Sequence, residues 1–436
     1  MDRKPDSSKG ADVLAISFAT TLLMWIVFYG AAIPPGQIAV WIVAVAVGVL
    51  LTAAGYAAGL FAGRGVWGGA SVGVAVTALN LLILLSLIGG GKPQEEMGRI
   101  AVWLTGFLIT AVVLSAVGAM VGRRSFRAGR ATANWTARFA WVTAATVLLM
   151  LVAGGLVTGL EAGLAVEGWL RPEGHLLILF PLELMRRDVG TFVEHAHRLW
   201  GLLVGLATIM LMVHLWIVER RRWICWLATA LVGAVIVQGT LGGTRVTEDS
   251  TALAIIHGIF GHVVLSVLVV IAAATGRAWS GDYAITSGRV LRTDAILGWW
   301  LGAMILGQIT LGTVFRHLQP LPETPTALLM GVLHGHSFVG SALVVLMVLL
   351  CGLRAWGRYA DQPVFRRVGI ALVHTVSLQV LLGFGSFMVV PRGPRDPSDA
   401  ITLLEVLLTT AHQATGAVLL ALSALLVAWG MRLQKR

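Results

Sequence analysis

Charge is scarce in this chain. Of 436 residues only 12% are Asp, Glu, Lys or Arg, whereas 57% are hydrophobic and the mean hydropathy is +0.85. A soluble domain carries about a quarter charged residues, so a soluble globular fold is excluded. Cysteine is scarcer still. Cys225 and Cys351 are the only two, both at the arginine-rich ends of their apolar segments, which leaves no disulfide framework and no Cys-rich metal site. Over the first 122 residues almost nothing polar lies at depth beyond Asn80, so no chemistry is expected there. A cleavable leader is not expected either: the first apolar segment is too long for a signal-peptide core and is not followed by a convincing cleavage site.

Long apolar runs dominate what remains. A membrane span needs about 20 such residues. Twelve runs qualify, roughly 12–33, 37–62, 67–90, 100–122, 136–159, 197–218, 223–244, 252–275, 293–315, 328–353, 366–390 and 404–431. The expected fold is therefore an all-α polytopic membrane protein. Basic residues in short loops orient such a chain. With both ends inside, Arg3, Lys4, Lys9, Arg64, the cluster Arg123, Arg124, Arg127 and Arg130, Arg220 to Arg222, Arg289, Lys435 and Arg436 all fall on one side, together with most other arginines. The net charge of +11 is thus an orientation signal rather than a nucleic-acid surface. Both termini are expected in the cytoplasm, and the membrane is expected to be the bacterial inner one.

Internal repeats set the architecture. Gln-x-x-Leu-Gly occurs at Gln238–Gly242, Gln308–Gly312 and Gln379–Gly383, with a degenerate copy at Met150–Gly154. Each following span carries His-x-x-x-Gly: His197/Gly201, His257/Gly261, His336/Gly340 and His412/Gly416. Two such units make a four-helix bundle, so spans five to eight and nine to twelve are expected as two related bundles after four extra spans. The expected divisions are 1–122, a basic linker at 123–135, 136–275 and 276–436.

Positions i and i+4 share a helix face. A glycine one turn from a histidine can clear space for a flat macrocycle that the histidine ligates. Facing histidines in one bundle suit bis-histidine haem ligation, pairing His197 with His257 and His336 with His412. A single intramembrane histidine more often serves as an interhelical hydrogen-bond partner; four in one register favour ligation. The glycine register selects His336 over His334, His257 over His262 and His197 over His195. His175, His214, His317 and His374 read as structural or interfacial. The glutamines read as packing contacts or as pocket lining. Arg198, Arg245 and Arg316 lie at the outer span ends, where arginine forks suit haem propionates. In the long outer loop, about 160–196, the apolar run Leu176–Leu184 reads as a membrane-surface segment.

The stretches Gly154-Gly155-Leu156-Val157-Thr158, Ala162-Gly163-Leu164-Ala165-Val166, Trp169, Glu194-x-x-His197-Arg198, Gln238 to Val246, His257-Gly258, Arg316-His317 and His412-Gln413 together resemble the haem A synthase family, over about 136–432. The resemblance implies an oxidoreductase of cytochrome oxidase assembly that oxidises the C8 methyl of haem O to the formyl of haem A. It implies that His336, His412 and Arg316 hold a resident haem b. It implies that His197 and His257, with Arg198 and Arg245, hold the substrate haem, and that Glu194 is the catalytic acid. Haem O synthase and oxidase assembly factors would be partners, alongside membrane lipid and a second copy of the chain. The cysteine pair of many relatives is missing from the 160–196 loop. Two other readings stand beside this one: a bis-histidine cytochrome b passing electrons from quinol to a partner, and a transporter, which would show broken helices and a midplane polar site.

Overall fold

Backbone groups in hydrocarbon find no water to bond, so a buried apolar run satisfies them internally by forming a helix. The computed structural model describes residues 10–36, 38–85, 93–127, 133–281, 288–321, 323–359, 362–395 and 399–434. The orienting residues Arg3, Lys4, Lys9, Arg130, Lys435 and Arg436 lie outside these. Among the described residues there is no β-strand, and twelve helices are long and apolar enough to cross a membrane, as the apolar runs imply. They are α1 (Ala11–Ala32), α2 (Val40–Ala62), α3 (Val66–Leu84), α4 (Pro93–Arg124), α5 (Trp135–Gly159), α6 (Val189–Val218), α7 (Arg222–Thr247), α8 (Thr251–Thr275), α9 (Gly288–Leu318), α10 (Thr326–Arg358), α11 (Pro363–Val389) and α12 (Leu403–Gln434). This is an integral membrane protein.

The chain divides into two compact units, 1–146 with 165–232, and 147–164 with 233–436. In the first, α2 and α4 approach through small residues: a Cβ added at Gly55 would lie 1.9 Å from the Ser115 carbonyl oxygen, and one at Gly118 2.1 Å from that of Thr52. Such close backbone contact is how helices pack in lipid, where no hydrophobic force separates helix from solvent. Asn80 is satisfied locally. Its amide donates to the Val76 carbonyl, and its oxygen accepts from Trp25 Nε1 at 3.2 Å. Asp12, almost fully buried, takes a two-pronged bond from Arg64 at 2.6 and 2.8 Å.

Helix α6 begins eight residues earlier than the apolar run. Asp188 caps it, accepting from the Thr191 backbone N–H at 2.8 Å; an aspartate there satisfies an otherwise orphaned donor. The stretch 189–196, counted with the loop by the apolar window, is therefore helical. The apolar run ahead of it is not one continuous helix. It breaks into the turns Leu177–Leu179 and Leu182–Met185, and Phe180 and Met185 are buried.

In the second unit α9, α10, α11 and α12 form a closed ring, each packed against the next, and α8 lies against α9 and α12. Helix α10 carries one π-turn, Gly335–Gly340, at the position of the candidate histidine. Such turns are rare and concentrate at functional sites. None of the twelve spans is unwound within its described residues, so the broken helices a transporter needs are not seen there.

Candidate haem site

The two repeat motifs interlock. In each antiparallel pair of the second unit, the glycine of Gln-x-x-Leu-Gly receives the histidine ring of the next helix. A Cβ added at Gly242, Gly312 or Gly383 would lie 2.8 Å from Cε1 of His257, His336 or His412 respectively. Reciprocally, the glycine of His-x-x-x-Gly receives the glutamine. A Cβ at Gly261 would meet Gln238 Nε2 at 3.3 Å, one at Gly340 Gln308 Oε1 at 2.2 Å, and one at Gly416 Gln379 Nε2 at 3.5 Å. Both motifs have an i, i+4 span, and antiparallel helices set glutamine against one glycine and histidine against the other. The sequence reading gave the histidine-side glycine to a macrocycle; the structure fills that space with glutamine.

Hydrogen bonds complete two of these locks. The His257 Nδ1–H donates to the Gln238 carbonyl at 3.1 Å and the His336 Nδ1–H to the Gln308 carbonyl at 3.0 Å. The glutamine side chains answer: Gln238 Nε2 donates to the His257 carbonyl at 2.8 Å, and Gln308 Nε2 to that of His336. A carbonyl on Nδ1 fixes the tautomer that leaves the Nε2 lone pair for a metal. His412 differs. Gln379 Nε2 donates to its Nε2 at 3.3 Å, in addition to a bond between the ring and the Gln379 backbone.

The His336 and His412 rings stand 6.0 Å apart, centroid to centroid, with planes at 81°. Two imidazoles bound to one metal through nitrogens about 2 Å from it hold their centroids roughly 6 Å apart. His334 instead bonds back to the Met330 carbonyl and stacks on Phe338, so His336 is the residue set against His412. Among the described residues no three His, Cys, Asp or Glu gather as a metal site. Two opposed imidazoles suit a metal whose other ligands come with a macrocycle, so the residues present fit a haem.

The arginines of this unit bond backbone at and just after the end of α5. Arg316 donates to Gln319 Oε1 at 3.1 Å and to the carbonyls of Gly159 and Thr158 at 3.0 and 3.3 Å. It also joins a buried cluster the sequence reading missed: Arg316 lies 3.5 Å from Glu161 and 3.7 Å from Glu405, and Arg395 pairs with both carboxylates. Arg316 Nε is buried without a partner. Arg245 donates to the Gly163 carbonyl. His257, Arg245 and Arg316 all belong to this second unit.

In the first unit Glu194 is 3% exposed. One oxygen accepts from the Val166 N–H at 2.8 Å, and the other pairs with Arg198 at 2.6 Å. Arg198 also donates to the carbonyls of Val166 and Gly168. His195, fully buried, stacks on Phe180 at 4.6 Å, and neither of its ring nitrogens has a partner. His197 belongs to this first unit and His257 to the second. His214 bonds Thr136 at 2.9 Å, the structural role expected of it.

Fold and site together define a polytopic helical membrane protein that sets histidines on neighbouring helices into glycine-lined seats. Residues 137–338 match the cytochrome oxidase assembly protein family (COX15-CtaA). Over 162 residues the chain is 32% identical to the heme A synthase of Brucella ovis, covering 34% of this chain and 42% of that protein. Over 170 residues it is 33% identical to the heme A synthase of Mesorhizobium japonicum, covering 36% and 44%. The resemblance to the haem A synthase family is thus borne out over the matched segment. The matched stretch spans under half the length of these relatives. No solved structure matches the chain significantly.

Proposed function

We propose that this protein is a haem A synthase-like oxidoreductase that converts the C8 methyl of haem O to the formyl group of haem A for cytochrome oxidase biogenesis. The observation that carries the reading is the His336–His412 pair: two imidazoles 6.0 Å apart, each seated against a motif glycine. The matched family and the names of the relatives support the same reading. His336 and His412 are the residues that would hold a resident haem b, which when bound supplies one-electron chemistry beside the substrate. Substrate ligation by His197 and His257 rests on the sequence register. Arg198 and Arg245, tied to loop carbonyls, and Arg316, tied to carbonyls at the end of α5, hold the segments around these positions and carry the positive charge that suits haem propionates. Glu194 is the group assigned to proton handling near the substrate methyl. The protein would sit in the bacterial cytoplasmic membrane with both termini inside, receive haem O from its synthase and pass haem A to oxidase assembly factors, alone or as a homo-oligomer.

One observation favours a second reading, a bis-histidine cytochrome that only carries electrons. Both Glu194 oxygens are already engaged by the Val166 N–H and Arg198, which gives the carboxylate a purely structural task. Purification followed by a visible spectrum and extraction of the bound haem separates the two. Haem b together with haem O or haem A is expected; haem b alone would favour the carrier, and a colourless protein would overturn both. Glu194→Gln keeps the acceptor for Val166. Haem O should accumulate in cells that depend on this variant, whereas normal haem A would remove Glu194 from the chemistry.

A further inference from the structure

The three Gln-x-x-Leu-Gly copies look alike in sequence but do different things to their histidines. At His336, inside the π-turn, two side chains reach the residue's carbonyl. Gln308 Nε2 and Ser341 Oγ both donate to it, the latter at 2.6 Å, and Gln308 Nε2 also donates to Ser341 Oγ at 3.0 Å. The backbone carbonyl of the same glutamine holds Nδ1–H. Main chain and side chain of Gln308 therefore grip His336 from two sides, and only Nε2 is left with a lone pair to offer. At His412 the glutamine side chain goes to a different atom. The Gln379 amide donates to Nε2, the ligating nitrogen itself, while Gln379 Oε1 is buried without a partner.

We propose that the two glutamines are positioning residues of opposite effect: Gln308 presets His336 as the fixed axial ligand, and Gln379 competes for His412 and makes it the exchangeable one. The proposal rests on the haem-ligation reading above. Its chemistry is that of hydrogen bonds around a metal ligand. A bond to the far nitrogen orients the ring and makes it a stronger donor; a bond to the near nitrogen occupies the lone pair that iron needs. Losing the Gln308 grip also frees the π-turn, and one residue of helical slip turns a side chain by about 100°.

The test compares Gln308→Met and Gln379→Met in the full-length purified protein. Both replace the amide by an unbranched side chain of similar length. The readouts are the fraction of bound haem that is six-coordinate and low-spin, and carbon monoxide binding after reduction. Gln308→Met should lower the ratio of six- to five-coordinate haem roughly fivefold, the effect of one ordinary hydrogen bond, and should bind more carbon monoxide after reduction than the parent. Gln379→Met should stay low-spin and bind less carbon monoxide than the parent. If Gln308→Met does not fold, Ser341→Ala removes the second leg of the same network and should move the same ratio in the same direction. Unchanged low-spin haem in Gln308→Met, or an equal loss in both glutamine variants, would overturn the proposal. A parent protein that binds no haem would instead overturn the ligation reading on which it stands.

Discussion

An alanine at Gly312 should displace His336, the proposed haem ligand, without removing any polar group. Its Cβ would lie 2.8 Å from His336 Cε1, where ordinary contact starts at 3.4 Å. The ring must therefore retreat by about 0.6 Å, or the helices must part. Overfilling a packed site costs about 1–3 kcal/mol, equivalent to roughly 5–150-fold in the equilibrium that keeps His336 on the iron. The same helix supplies the control: Gly307 has nothing within 4 Å of its added Cβ, so Gly307→Ala changes the chain equally and crowds nothing. The assay is haem b per protein and the low-spin fraction of the purified variants, read from visible spectra. Gly312→Ala should fall in both, and Gly307→Ala should match the parent. If the two alanine variants were indistinguishable, the seat would not be what aims the imidazole.

Gly383→Ala meets His412 at the same 2.8 Å and should show the same loss. Arg395→Gln removes one cation from a buried cluster with Glu161 and Glu405. Breaking such a pair costs about 3–5 kcal/mol, so thermal unfolding in detergent should show a clear destabilisation, and a parent-like transition would dismiss the cluster as a stabilising feature. Asp188→Ala removes the α6 cap and should cost about 1 kcal/mol. The Asp188 carboxyl is raised by burial, but the Thr191 N–H and hydroxyl and the adjacent Arg187 outweigh this and hold it below the usual carboxylate range. Its stabilising effect is therefore fully present above that range and is lost as pH falls through the lowered value. The parent and Asp188→Ala stabilities should converge in acid and diverge toward neutrality; a gap independent of pH would contradict the cap.

The helical, membrane-spanning architecture was legible because twenty-residue apolar runs leave the backbone one choice in lipid. The register of His257, His336 and His412 was legible for the same kind of reason: an i, i+4 spacing fixes a face. A face does not name its occupant, however. The glycines beside His257, His336 and His412 read as room for a macrocycle, and only the packing of antiparallel neighbours shows glutamine there. The start of α6 was missed because Glu194 and His195 interrupt the apolar window, and the signal lay in Asp188, a cap residue outside that window. The Glu161–Arg316–Arg395–Glu405 cluster joins two loops to two helix ends. Loop paths carry no periodicity, so nothing in the spacing of these four residues pointed to one another. Glu161, held at φ 54° just after α5, is the one local trace of that arrangement.

The claim that His336 and His412 clasp one iron is tested most directly by electron paramagnetic resonance of the oxidised, purified protein. Ring planes at 81° lift the near-degeneracy of the iron orbitals only weakly, so the account predicts a low-spin signal of large anisotropy that disappears in His336→Ala and in His412→Ala. A spectrum that is only high-spin, or a low-spin signal that survives both substitutions, would contradict it.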